Sequence, residues 1–314
     1  MDKSEKIQLI TKIARFYYIE NLIQQEIANK LNISRTKVSR YLAKARKLDI
    51  VDIKINSPKE DFSELEYEIE KKYIIKECII VPSSDNDREI FREMGIALGG
   101  LLERILNDGD YIGIGWGSTL KYVVDYINLD KKINVKVVPM IGGLGKVGKG
   151  FHTNSVARAL ADKLGGIGYI INSPAVLDSE ESKRVIENDS NSREILEMSK
   201  FFKVAIVGMS DIGIESTLIK SGNFTLEDFN YLKNLGVVGD LNLIFINSNG
   251  EPVENEINKR ILMLNLDRIK KVGNVIGIGF GNRKLSTILG ALRGKIINIL
   301  ISDKNTILNI LKEN

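Results

Sequence analysis

Two glycine-rich stretches contain the residue types that bind phosphate. YIGIGWGSTL (111–120) and VIGIGFGNRKL (275–285) both read Gly-x-Gly-aromatic-Gly, followed by Ser118 and Thr119 in the first and by Lys284 in the second. Glycine lets the backbone approach a ligand closely, and the start of a following helix offers free N–H groups to an anion. Tight turns needed only for packing would use the same glycines, and the Gly-x-Gly-x-x-Gly spacing of a dinucleotide site is absent. Two such stretches with hydroxyl or cationic residues at the turn favour anion binding.

Further candidate ligand contacts stand at strand ends. A third glycine-rich stretch, IGGLGKVGKGFHTN (141–154), contains Gly143 and Lys146 and is typical of a mobile loop that folds over a ligand. Asp211 and Asp240 lie in the acidic turns GMSDIG and VVGDL. Either carboxylate can accept sugar hydroxyls, and a turn-forming aspartate explains each equally well.

The basic residues of the chain are concentrated near the N-terminus. The segment NISRTKVSRYLAKARK (32–47) contains six basic residues and no acidic one. Residues 1–56 carry 12 Lys/Arg and 6 Asp/Glu, a net charge of +6, whereas the other 258 residues carry 33 Lys/Arg and 35 Asp/Glu, a net charge of −2. A concentrated basic face on a slightly acidic body is the electrostatic footprint of a protein that meets phosphates.

Two short amphipathic helices and a tight turn are predicted around this basic segment. Asn32 suits a helix C-terminus because asparagine tolerates left-handed backbone, and Ser34 suits an N-cap because its hydroxyl accepts from free N–H groups. The apolar positions are Ile23, Ile27, Ala28 and Leu31 in the first helix and Val38, Leu42 and Ala45 in the second. At roughly 100° per residue, the last three form one buried stripe, and small, hydroxylic and basic side chains lie opposite.

This exposed face predicts DNA binding by a helix-turn-helix whose recognition helix is Ser34–Lys47. Lys and Arg suit phosphates, short or forked polar donors suit base edges, and a small Ala43 permits close approach. An ordinary solvated helix face is the alternative, but such faces usually mix both signs of charge. The candidate DNA contacts are Ser34, Arg35, Thr36, Lys37, Ser39, Arg40, Lys44 and Lys47.

A connector and a large α/β body follow. IVDIKIN (50–56) alternates as a strand does, and the acidic stretch 57–73 predicts a linker helix that packs on the next domain. Strand-like apolar runs come next: ECIIVPS, DYIGIGWG, NVKVVPMIGG, IGYIINSP, KVAIVGMS, LNLIFINS, NVIGIGFG and IINILISD. Helical spacing occupies the segments 86–106, 119–128, 153–164, 225–235 and 284–293. This alternation predicts a mainly parallel sheet flanked by helices, with ligands bound beyond the carboxyl ends of its strands.

The predicted domains are therefore a DNA-binding domain over 1–56, a linker helix over 57–73 and a ligand-binding domain over 74–314. Composition agrees with a globular chain, since 43% of residues are hydrophobic and 27% are charged. The single cysteine, Cys78, cannot form an internal disulfide, and no apolar run of about 18 residues suggests a membrane span. A cytoplasmic protein without metal or cofactor is expected.

The motifs and their order resemble those of the SorC family of sugar-responsive bacterial transcription regulators. The N-terminal stretch ARFYYIENLIQQEIANKLNISRTKVSRYLAKARKLDIVDIKI resembles that family's DNA-binding domain. The body is similar to its sugar-binding domain at DGDYIGIGWGSTL, VVPMIGGLG, SPAVLDS, VAIVGMSDIG, VGDLN and IGIGFGNRKLSTILGALRGKIINILISD. The resemblance implies a fold related to sugar-phosphate isomerases, assembly into a homodimer or homotetramer, and control of a carbohydrate operon by a phosphorylated sugar.

The resemblance also sharpens the candidate effector site. It implies a phosphate at Ser118 and Thr119, a cation beside it at Lys284, and hydroxyl contacts at Asp240. The candidate effector contacts are Gly115, Gly117, Ser118, Thr119, Gly143, Lys146, Asp240 and Lys284. The alternative is a sugar-phosphate isomerase-like enzyme with an appended DNA-binding module, for which Asp211, Asp240 or His152 would have to act as the base.

Overall fold

The chain divides into two compact units, Met1–Glu60 and Asp61–Asn314. The computed structural model describes residues 3–53, 61–144 and 152–313. Within these ranges no helix combines the length and the apolar character needed to cross a membrane.

The first unit consists of three helices in its described residues: α1 (Lys3–Tyr18), α2 (Gln24–Leu31) and α3 (Arg35–Lys47). Asn32 ends α2 in the left-handed conformation with φ 51°, and the Ser34 hydroxyl accepts a hydrogen bond from the backbone N–H of Lys37 at 3.2 Å. Both predicted caps are therefore present. The predicted stripe of α3 packs on α1 and α2 in a core made of Ile10, Ile13, Ala14, Phe16, Ile27, Ala28, Val38, Tyr41, Leu42 and Ala45.

Two details of this unit differ from the sequence-based expectation. Ile23 is the exposed N-cap of α2 and does not contribute to the core, because the helix begins one residue later. The strand expected over 50–56 is not formed in its described part, since Val51–Ile53 has no regular structure and the helical unit offers no strand there to pair with. The rest of that segment lies outside the described residues.

A mainly parallel sheet forms the centre of the second unit, as predicted. Its strands are β1 (Glu77–Val81), β2 (Tyr111–Ile114), β3 (Lys136–Pro139), β4 (Ile167–Gly168), β5 (Phe202–Asp211), β6 (Gly239–Leu241), β7 (Ile244–Ile246), β8 (Asn274–Ile278) and β9 (Ile299–Asp303). In the described residues the strand order is β1-β9-β8-β5-β2-β3-β4, and every neighbouring pair in this row is parallel. The predicted α/β class is confirmed.

Helices cover both faces of the sheet. They are α4 (Ser63–Tyr73), α5 (Asp87–Ile105), α6 (Ser118–Asp125), α7 (Thr153–Leu164), α8 (Glu180–Asn188), α9 (Ser190–Glu197), α10 (Thr217–Lys220), α11 (Leu226–Asn234), α12 (Leu266–Lys270), α13 (Leu285–Arg293) and α14 (Lys304–Lys312). Alternate residues of β5 enter different cores: Val204 and Ile206 pack with α5, α6 and α7, whereas Ala205 and Val207 pack with α4, α13 and α14. Such burial on both faces explains the nearly continuous apolar runs in the sequence.

A tight hairpin joins β6 to β7, where the sequence predicted a single strand over LNLIFINS. Asn242 and Leu243 form its two-residue turn with φ 55° and 65°. Asparagine tolerates this left-handed backbone, whereas leucine adopts it at a cost of about 1–2 kcal/mol. Leu243 is nevertheless held there because its side chain is fully buried and its N–H donates to Asp240 Oδ2 at 3.1 Å. Tertiary packing thus overrides the local preference for a strand.

Helix α4 closes the edge of the sheet at β1. Glu70 Oε1 accepts from the N–H of Cys78, and Glu66 Oε1 accepts from the N–H of Ile80, each at 2.9 Å. These two N–H groups have no strand beside them, because β1 pairs with β9 on its other side. Burial raises the pKa of Glu66, although the hydrogen bond from the N–H of Ile80 acts to lower it. With Ile69 fully buried, α4 packs firmly on the second unit, as expected.

Candidate functional site

A cavity of about 940 Å³ lies where three neighbouring parallel strands end. The glycine turns after β2 and β8 flank the end of the central strand β5, because these strands are adjacent in the order β8-β5-β2. Gly117 and Gly281, with φ 117° and 91°, need the freedom of glycine to turn the chain into the following helices. The two motifs recognised in the sequence therefore face one space.

One end of the cavity brings together groups of the kind that bind anions in proteins. Ser118 and Thr119 begin α6, so the unpaired backbone N–H groups of its first turn are available there. Lys284 Nζ donates to Thr119 Oγ1 at 2.7 Å, which joins the two glycine turns. The Ser118 hydroxyl lies 3.1 Å from that of Thr217. Hydroxyls, helix N–H groups and an ammonium group thus meet in one place.

Burial makes the ammonium group of Lys284 unfavourable in the free protein. Removal from water lowers the pKa of Lys284 to about 8, against the opposing influence of Asp211 and Asp240. No ion pair of Lys284 occurs in the described part of the chain. An anion in the cavity would stabilise the charged form, because an opposite charge nearby favours it.

Asp240 places a buried carboxyl group in the same cavity. Its Oδ2 accepts from the N–H of Leu243 at 3.1 Å, and its Oδ1 has no hydrogen-bond partner within the described residues. Burial raises the pKa of Asp240 to about 7, with a smaller contribution from the nearby Asp211 and against the lowering effect of the hydrogen bond from Leu243. The group is therefore poised to meet a hydroxyl donor from a ligand.

The structure brings together five of the eight candidate effector residues in the cavity lining: Gly117, Ser118, Thr119, Asp240 and Lys284. Gly115 and Gly143 are not part of that lining. A side chain at Gly115 would lie 3.1 Å from Asn242 Oδ1, and one at Gly143 would strike the ring of His152 at 2.7 Å. Lys146 lies outside the described residues.

Several lining residues were missed by sequence reasoning. Ser216, Thr217, Lys220 and Ser221 come from the segment after β5, and Asn242 comes from the β6–β7 turn. The hydroxyl-rich stretch STLIKS (216–221) was a usable signal, since it follows a strand end. Asn242 carried none, because only the hairpin brings it to the cavity.

The exposed face of α3 is a second candidate site. Of the eight candidate DNA contacts, Lys37 is half-buried beside Tyr41 and the other seven are exposed. Ser34 is partly engaged as a cap, and its hydroxyl lies 3.0 Å from that of Thr36. Throughout the described ranges, no carboxylate forms an ion pair with a basic residue of α3. The face therefore presents uncompensated positive charge.

Comparison with known proteins identifies the family. The profile described as "Putative sugar-binding domain" matches residues 57–312. The sorbitol operon regulator of Klebsiella pneumoniae is 31% identical over 316 residues, which cover 99% of this chain and 100% of that protein. The chain belongs to the SorC family. Its resemblance to these regulators, predicted from the motifs, is confirmed.

A second relative and a solved structure of the sorbitol operon regulator support this assignment. The deoxyribonucleoside regulator of Bacillus subtilis is 31% identical over 307 residues, covering 98% of this chain and 97% of that protein. The crystal structure of full-length SorC from Klebsiella pneumoniae matches with a TM-score of 0.76 at 30% identity, covering 99% of this chain and 100% of that one. As a SorC-family member, the protein is a transcription regulator.

The buried carboxyl group predicts a pH-dependent stability. Because the native pKa of Asp240, about 7, exceeds its ordinary value of 3.8, the native state binds the proton more tightly than the unfolded state. This contribution is present in full below about pH 4 and is lost as pH rises through about 7. Thermal unfolding followed by circular dichroism should show the midpoint of Asp240→Asn falling less than that of the wild type between about pH 5 and 8.

Asp267→Asn is the matched control, since Asp267 is an exposed carboxylate on α12. This variant should keep the wild-type pH dependence. Parallel curves for wild type and Asp240→Asn would contradict a proton bound at Asp240.

Proposed function

We propose that this transcription regulator binds operator DNA through α3 and is controlled by a phosphorylated sugar held in the cavity at the ends of β2, β5 and β8. The observation that carries the proposal is the contact between Lys284 and Thr119, which sets a buried ammonium group beside the start of α6. Control of a carbohydrate operon agrees with relatives named as regulators of a sorbitol operon and of deoxyribonucleosides.

The proposed DNA contacts are the eight candidate residues of α3 and its cap. Arg40 and Lys47 are exposed on the side of α3 opposite the buried Val38, and no described carboxylate pairs with them. Phosphate binding by such residues releases counterions and supplies affinity, while forked donors such as Arg40 read base edges in the major groove. Arg40 is therefore assigned to sequence reading and Lys47 to the DNA backbone.

The proposed ligand is anionic because no described carboxylate forms an ion pair with the buried Lys284. A phosphate between α6 and Lys284 accepts from helix N–H groups, from two hydroxyls and from the ammonium group at once. Asp240 supplies an acceptor for sugar hydroxyls. A phosphorylated sugar combines both chemistries in one small molecule.

Paired operator half-sites require at least two copies of α3, so we assign the protein a homodimeric or homotetrameric state. We place it in the cytoplasm, where operator DNA is found. The isomerase-like alternative gains no support from the relatives, which are named as regulators.

Binding to duplex DNA should depend steeply on salt. The full-length protein would first select a preferred duplex from a random library, and its affinity would then be measured by fluorescence anisotropy. We expect log K to fall against log salt with a slope of about −0.9 for each phosphate contacted. Lys47→Ala should reduce this slope by about one and weaken all sequences alike, whereas Arg40→Ala should narrow the gap between selected and scrambled duplexes.

Lys71→Ala, at an exposed lysine of the acidic helix α4, is the control and should behave as the wild type. An affinity that stays constant between about 50 and 200 mM salt would overturn DNA binding by the basic face.

Calorimetry with pairs of free and phosphorylated sugars tests the anion site. We expect the phosphorylated member of the best-binding pair to bind at least about tenfold more tightly, because several charge-assisted hydrogen bonds are lost without the phosphate. Lys284→Met should abolish most of this preference while keeping the volume of the buried side chain. Lys121→Met is the control, since Lys121 lies on α6 outside the cavity lining. Equal affinity for both members of every pair would refute the phosphate site.

Effector and DNA should influence each other's binding by the same factor, between about 5 and 150. Gel-shift titrations with and without the sugar phosphate, beside calorimetry with and without the selected duplex, measure both sides of this coupling. The double variant Ser118→Ala with Lys284→Met should keep the DNA affinity of the free protein and lose its response to effector, because neither side chain lies on α3. Arg40→Ala should lose DNA preference and keep effector binding. Independent binding of the two ligands to the wild type would disprove the regulatory link.

A further inference from the structure

The β6–β7 turn contributes a second unpartnered acceptor, on a residue of the cavity lining. Asn242 lines the cavity, yet its side chain is only 2% exposed. Its Nδ2 group faces the backbone carbonyl of Met140 at 3.5 Å. Its Oδ1 has no hydrogen-bond partner within the described residues.

The surroundings fix which end of the Asn242 amide is the oxygen. The Met140 carbonyl only accepts hydrogen bonds, so the amide nitrogen must face it and the oxygen must point away. The oxygen lies under Gly115, where a Cβ would come within 3.1 Å of it. Glycine at 115 therefore leaves room for the acceptor, which accounts for a motif residue that does not itself line the cavity.

The hairpin fixes Asn242 and Asp240 together. Both residues line the cavity, and the two unpaired oxygens, Asp240 Oδ1 and Asn242 Oδ1, are both buried. The Asp240 carboxylate also holds the N–H of Leu243, which locks the left-handed turn that presents Asn242. Both side chains are less than one-tenth exposed, so neither oxygen is freely hydrated.

When Asp240 is ionised, the two buried acceptors point to a donor group that the ligand supplies. A buried oxygen without a partner is unfavourable, and sugar hydroxyls are donors of the right size. A ligand that lacks a hydroxyl leaves an acceptor unpaired, which is how polar sites reject deoxy analogues strongly.

We propose that Asn242 Oδ1 and Asp240 Oδ1 form a two-acceptor site that selects fully hydroxylated sugar phosphates over deoxy-sugar phosphates, with Asn242 as a specificity-determining residue. This inference rests on the proposed effector site and extends it. It assigns the ligand class: a sugar phosphate that has no deoxy position.

Two comparisons test the assignment: hydroxylated against deoxy sugar phosphates, and the wild type against variants at Asn242 and Asn32. Calorimetry on the full-length protein would use ribose 5-phosphate with 2-deoxyribose 5-phosphate, and glucose 6-phosphate with its 2-deoxy and 3-deoxy forms. Inorganic phosphate would report the anion site alone. Asn242→Gly removes the acceptor and suits the left-handed backbone, so the turn is retained. Asn32→Gly makes the same change at φ 51° in the first unit and is the matched control.

We expect the wild type to bind the hydroxylated member of at least one pair more than about tenfold better than its deoxy partner. In Asn242→Gly this preference should fall to within about threefold, with the affinity for the deoxy member and for inorganic phosphate nearly unchanged. Asn32→Gly should keep the full preference.

Other results would overturn the assignment in distinguishable ways. If Asn242→Gly weakens both members of each pair equally, or leaves the preference intact, the acceptor holds only water or supports the turn, and the phosphate site stands. If the wild type prefers a deoxy-sugar phosphate, the ligand class is wrong. If neither sugar phosphates nor inorganic phosphate bind, the proposed effector site fails, and this inference fails with it.

Discussion

The contact between Lys284 and Thr119, which are 165 positions apart in the chain, spans the end of β5 and joins the two glycine turns. It requires both turns to be tight, both flanking strands to be parallel to β5, and the lysine to be buried. Burial therefore disfavours the charged form of Lys284. Binding of the proposed anion would be more favourable here than on the surface, because no described carboxylate forms an ion pair with Lys284.

The sequence carried enough information to locate this site in outline. Ser118, Thr119 and Lys284 belong to separate motifs, yet both motifs follow apolar runs typical of parallel strands, whose carboxyl ends share one edge of a sheet. The basic face of α3 was equally predictable. The helical period places Arg40 on the side opposite Val38, and the sequence shows directly that the segment 32–47 contains no carboxylate. Fold class and family followed from the same patterns.

What the sequence did not reveal depends on contacts between distant segments. Leu243 in left-handed backbone contradicts its own preference, so no local pattern predicts the turn that brings Asn242 to the cavity. Thr217 meets Ser118 only because the segment after β5 folds back over the strand end. The short helices α8, α9 and α12 also escaped, because their brief apolar patterns resemble those of loops.

The carboxylates of α4 have a consequence for how far a signal can move this helix. Glu66 and Glu70 occupy the backbone donors of an edge strand that would otherwise be a template for a neighbouring chain. Displacing α4 uncovers Cys78 and Ile80 and invites strand addition between molecules. Detachment of α4, the helix that follows the first unit, would therefore favour aggregation. Small rotations or shifts of α4 that keep these two hydrogen bonds are better tolerated.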